Sequence, residues 1–148
     1  MRIVAVAALL VAALWVGPSA AAEDAIGSVK TVEGSAHVER AGKREAAKVG
    51  TAVFRHDALQ TGKDGSMGVT LKDETMISVG PNTELHLDSF AFEPEEKKYS
   101  FVTRISRGTL FYVSGLIAKL SPQSTKVVTP GGTVGVRGTR FVVRAGGK

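Results

Sequence analysis

The residues able to do chemistry are few in this chain and stand far apart. Glu84, His86 and Asp88 have the donor types that bind a transition metal, and they alternate with Leu85 and Leu87 in one extended segment. Alternate residues of a strand are about 7 Å apart, so three such ligands converge on one ion only with a bend or a second strand. They read as the solvated face of a strand whose leucines point inward, and no metal is expected there. His37 and His56 lie elsewhere in the sequence. His56-Asp57 sets a base beside a carboxylate, but neighbours in an extended chain point to opposite faces, and no Gly-x-Ser-x-Gly elbow supplies a nucleophile.

Arg137-Gly138-Thr139, with Gly131, Gly132 and Gly135 before it, has the glycine content of a phosphate loop. Such a loop needs Gly-Lys-Ser/Thr opening a helix, so that backbone N–H groups and the helix dipole meet the phosphate. Here no lysine follows Gly138, and Phe141-Val142-Val143 continues as a strand. These glycines read as turn and close-packing positions. Glu93, Glu95 and Glu96 carry carboxylates, but in a polar run, Glu93 to Lys98, with no aromatic platform beside it. Trp15 is the single tryptophan, and there is no cysteine. Disulfides, thiolate zinc sites and cysteine nucleophiles are therefore excluded. The expectation is a protein with no catalytic residues and no cofactor.

One charged feature has direction. Arg137, Arg140 and Arg144 make the C-terminal part basic, with Arg104, Arg107 and Lys148 as candidate additions. Arg140 and Arg144 share a strand face, because four residues is an even step. Such charges protect a sheet edge against other chains. They also offer a docking surface for an anionic partner, either an envelope protein or a cell-envelope polymer. Nucleic acid is not expected as a partner outside the cytoplasm.

The elements that must hold these residues have a period of two from Gly27 onward. Val29 and Val32 begin a first strand, and Ala36 and Val38 a second, read as a hairpin turning at Glu33-Gly34. Val49 to Val53, Asp57 to Gly62, Ser66 to Lys72 and Thr75 to Val79 continue the series, with Ile77 and Val79 inward. Phe101 to Ile105, Thr109 to Val113, Thr125 to Thr129, Val134 to Val136 and Thr139 to Arg144 complete it, Gly108 joining the first two. Val113, Leu116, Ile117 and Leu120 allow one short helical turn. About ten short antiparallel strands predict an all-β, jelly-roll-like β-sandwich in a single domain.

Before these strands, Arg2 precedes an unbroken apolar run of 14 residues, Ile3 to Val16, and Gly17-Pro18-Ser19 ends it. Ala20-Ala21-Ala22 then presents small residues for cleavage. That order is a secretory signal over residues 1–22, and the run is short of the roughly 20 residues of a membrane span. An uncleaved anchor is the competing reading. The expected location is periplasmic or secreted, with no membrane span once the signal is removed. Cleavage takes away one of the charges behind the formal +5, leaving a mild basic excess.

Gly50, Asp57-Ala58-Leu59-Gln60-Thr61-Gly62, Ser66 with Val69-Thr70-Leu71-Lys72-Asp73, and Ile77 with Asn82-Thr83-Glu84-Leu85 together resemble the FecR domain family. Arg107-Gly108-Thr109-Leu110 and Thr129-Pro130, followed by Val136 to Val143, extend the likeness over residues 27–144. The resemblance makes Gly50, Asp57, Thr61, Gly62, Asp73, Gly108, Gly138 and Thr139 structural motif positions. It implies an all-β extracytoplasmic domain, which in the best-known members senses a loaded outer-membrane transporter and controls a sigma factor. With no cytoplasmic segment before Ile3 and four residues after Arg144, the expectation is a stand-alone exported module without the anti-sigma part. The alternative is an extracytoplasmic sensor of a ligand or ferric chelate. Asp73-Glu74 stands where Asp-Gly is usual, and glutamate disfavours positive φ, so a longer turn or another type is expected there.

Overall fold

The computed structural model describes residue 17 and residues 24–137 and 140–146. The expected signal, residues 1–22, lies almost wholly outside them, as do Gly138, Thr139 and Lys148. Among the described residues no helix is long and apolar enough to cross a membrane.

The chain is all-β, and its two layers are halves of one curled sheet. Strands β1 (Gly27–Glu33), β4 (Ala52–Val53), β6 (Ser66–Leu71) and β7 (Met76–Val79) belong to one half. Strands β2 (Ala36–Arg40), β3 (Lys43–Ala46), β5 (Ala58–Thr61) and β8 (Glu84–Glu93) belong to the other. A 16-residue strand, β9 (Lys98–Val113), is common to both. Its first part pairs with β8 and with β10 (Thr125–Thr129), which carries β11 (Gly132–Gly135). Its last part runs between β7 and β12 (Arg140–Ala145).

Alternation explains which side chains fill the space between the halves. Val29, Leu59, Val69, Ile77, Leu85, Ile105, Leu110 and Val127 are all buried there. Polar neighbours at the alternate positions of β8 remain partly exposed, as the reading of Glu84, His86 and Asp88 requires. The short helix α1 (Leu116–Leu120) is present and buries Ile117.

Four local expectations change. Residues 101–105 and 109–113 are not two strands, because Gly108 continues β9 at φ +99° rather than turning it. An added Cβ there would overlap Thr83, so the kink needs a residue without a side chain. Glu33-Gly34 is not a hairpin turn either. β1 pairs with β6 and β4 while β2 pairs with β3 and β5, so the chain crosses between halves at Gly34. There, Ser35 is tied to the β5–β6 loop by the bond from Gly62 N–H to its carbonyl. The ladder is not wholly antiparallel: β10 runs parallel to β9, because the connection through α1 and a 3-10 turn, Pro122–Ser124, is a crossover rather than a hairpin. Finally, the β6–β7 loop is longer than a two-residue turn, as expected, with three residues closed by Leu71 N–H to the Thr75 carbonyl, but Glu74 takes φ +71° nonetheless. Three-residue hairpins require one left-handed position, and the Asp73 side chain compensates by accepting from Thr75 N–H.

Candidate functional site

Asp57, Thr61 and Asp73, polar residues of the family pattern, are buried in the fold, where they act as fasteners. Asp57 is fully buried just before β5. Its carboxylate takes a two-pronged bond from Arg40 Nε and Nη2, each 2.8 Å, and a third from Phe54 N–H at 2.8 Å. The Arg40 guanidinium also lies over the Phe54 ring, 4.3 Å from its centre. Asp57 thus faces Arg40 rather than His56, and no acid–base pair forms between the adjacent residues.

Thr61 donates to the Gly80 carbonyl at 2.6 Å and accepts from Thr83 N–H at 2.9 Å. Thr83 in turn accepts from Thr109 N–H at 3.0 Å, beside the kink at Gly108. Gly62 N–H and carbonyl bind Ser35 and Asn82, and Gly50 N–H binds Val29. Asp73 is buried on the far side. Its carboxylate accepts from Thr75 Oγ1 at 2.7 Å and from Ile117 N–H at 3.1 Å, and its carbonyl accepts from Leu116 N–H at 2.7 Å. One aspartate therefore closes the β6–β7 turn and caps the first turn of α1. Gly115 allows this approach, since a Cβ there would overlap the backbone of Asp73 and Thr75.

Tyr112 packs beside this cluster, stacked on Phe141 with ring centres 4.6 Å apart. Burial holds its phenol well above the usual range; the Asp73 charge adds to the rise, and the hydrogen bond with Thr75 opposes it.

The donors on β8 satisfy one another. His86 Nε2 is 2.8 Å from Glu84 Oε1, Arg107 reaches the other oxygen of Glu84 at 3.7 Å, and Asp88 pairs with Arg104 at 3.3 Å. Arg104 and Arg107 therefore face the carboxylates of β8 and do not extend the basic edge. Glu93 precedes a 3-10 turn, Pro94–Glu96, and Glu96 ends it; they pair with Lys98 at 4.0 and 3.1 Å.

Arg137, Arg140 and Arg144 are exposed; Arg140 and Arg144 share the outer face of β12, and Arg137 and Arg144 line one groove. The ion pairs among the described residues leave all three unused. β12 alternates exposed Arg140, Val142 and Arg144 with inward Val143 and Ala145. Val142 pairs with Phe111 of β9, which pairs with Ser78 of β7, and Val113 lies between Arg140 and Met76. The outer face thus carries an apolar stripe, with Val142 58%, Phe111 49% and Met76 47% exposed. This stripe was not anticipated. Its signal was present in the unbroken runs Leu110 to Val113 and Phe141 to Val143, which leave apolar residues on both faces of a strand. Arg40 and Thr83 were also missed, since their partners lie 17 and 26 residues away.

No curated protein and no solved structure matches the chain. A family model, described as FecR protein, matches residues 57–148. The matched span begins at Asp57, so β1 to β4 lie outside it, although β1 completes the same sheet through β6. It takes in the Thr61–Thr83–Gly108 fastener, the Asp73 cap and the basic strand, and it covers more than half of the sequence: the chain belongs to the FecR protein family.

Proposed function

We propose that this protein is an exported, non-catalytic module that works by binding an envelope protein or an anionic envelope polymer. The family points to a signalling or sensor domain. The observation that carries the binding reading is the division of polar groups. Asp57, Asp73, Thr61 and Thr83 are consumed by internal hydrogen bonds, while Arg137, Arg140 and Arg144 stand outward without carboxylate partners among the described residues. Buried, fully bonded groups stabilise a fold and offer nothing to a substrate. Exposed cations beside an apolar stripe suit recognition by charge and by packing.

Export rests on the charged, apolar and small-residue order of the first 22 residues. The sensor reading, with a ferric chelate at β8, has less support, since Glu84, His86 and Asp88 already bind His86, Glu84 and Arg104 respectively.

The test is photo-crosslinking in intact cells, with the reactive group placed in turn on each exposed strand. A discrete crosslinked partner in the envelope fraction is expected. A defined turnover of envelope substrates by the purified protein, or its recovery from cytosol with the leader attached, overturns the reading.

A further inference from the structure

β11 and β12 are consecutive strands, yet they do not pair. Among the described residues β11 bonds only to β10, and β12 only to β9. Between them runs a groove of about 570 Å³, lined by Val134 of β11, Arg137, and Phe141, Val142, Val143 and Arg144 of β12. Both the inward and the outward side chains of β12 line it, so the groove follows the strand's backbone edge. No carboxylate lines it among the described residues.

A free strand edge is a template for another strand. The side chains decide which one. Arg140, Val142 and Arg144 present cation, apolar group and cation in a row on the outer face, with Phe111 behind Val142. A second copy of β12 pairing antiparallel about Val142 would bring Arg140 opposite Arg144 of the other molecule. Like charges directly opposite destabilise a strand pair. The pattern that repels a copy attracts a strand with carboxylates at the same two places.

We propose that an extended acidic segment of a partner protein adds to the free edge of β12, with Asp or Glu opposite Arg140 and Arg144 and an apolar residue opposite Val142. This rests on the reading of the chain as a binding module, and names its surface and the chemistry of its partner. Main-chain bonds to the unpaired edge supply the general attraction. The two arginines and the Val142–Phe111 patch set register and direction. The partner's signature is an acidic residue, an apolar residue two positions on and a second acidic residue two beyond that.

The probe is a short fluorescent peptide with Glu-Thr-Val-Thr-Glu at its centre, titrated into the full exported protein and followed by anisotropy. Three changes to the peptide are each expected to weaken binding by about tenfold or more: lysine for both glutamates, the same residues reordered so that the carboxylates adjoin, and N-methylation of the alternate amides that face β12, whereas methylation of the other alternate set is tolerated. The R140E/R144E variant alters only exposed side chains. It should lose the acidic peptide and gain the lysine peptide, a gain that misfolding could not produce.

Equal binding of both alternately N-methylated peptides would overturn the proposal. So would a linear polyanion competing as well as the ordered peptide, which marks a polymer surface, or a wild-type dimer in sedimentation that is abolished in R140E/R144E. The two levels separate in the crosslinking experiment. A partner still captured by R140E/R144E refutes this surface and leaves the binding module standing. If no position on the wild-type protein crosslinks, both fail.

Discussion

Asp57 gathers three donors from Arg40 and Phe54 at one carboxylate with no exposure to water. Asp57→Ala removes all three bonds and leaves the Phe54 N–H without a partner. Because the Arg40 side chain is 42% exposed, solvent screens part of the pair's attraction, and a loss of about 2 kcal/mol in urea unfolding is expected. Arg40→Lys keeps the charge but loses the fork and the stacking on Phe54, and should cost about half as much. Tyr112 makes a prediction about pH. Its folded-state value is raised by burial above the ordinary phenol range, so both states hold the proton at neutral pH. Above pH about 10 the unfolded chain releases that proton while the folded chain keeps it. Stability therefore falls as pH rises through that range. Thermal melts from pH 8 upward should show a shallower alkaline loss in Tyr112→Phe, by at most about 1.4 kcal/mol per pH unit. An unchanged slope would mean that the phenol is not shielded from water.

Two elements depend on single backbone conformations. β9 passes from one half of the sheet to the other at Gly108, where φ is +99° and Thr83 occupies the space a side chain would need. Gly108→Ala combines left-handed strain with overlap against a buried threonine, and a loss of about 3 kcal/mol is expected. The β6–β7 hairpin has the opposite fault. Glu74 is exposed and sits at φ +71°, a position that glycine fills without strain. Glu74→Gly should raise stability by about 1 kcal/mol, read as a higher urea midpoint at unchanged m-value. A neutral or destabilising result would show that the Asp73 bonds to Thr75 already offset the strain. The strand positions and the three-residue loop follow from local sequence, but the bend at Gly108 does not. A glycine between two apolar runs looks the same whether it ends a strand or kinks one, and the choice depends on Thr83, 25 positions earlier.

At the scale of the molecule, the proposed export makes a direct prediction. Protein recovered from the envelope or medium should begin at Glu23, by N-terminal sequencing, and a start at Met1 would favour a retained anchor. Period-two alternation by itself determined the all-β class, the inward leucines of β8, and the inward Ile77 and Val79. Each strand buries one face, and that pattern is written in adjacent residues. The ordered motifs likewise determined the family. Only the tertiary structure decided that β1 and β2 part company at Gly34, that β10 lies parallel to β9, and that Arg40 belongs to Asp57. These are pairings between distant segments, and loop closure and side-chain packing select them from many that share the same alternation. The same holds for the basic edge. Sequence placed Arg140 and Arg144 on one face, but whether the edge of their strand was paired depended on where β11 ended up; among the described residues β11 bonds to β10 and β12 only to β9.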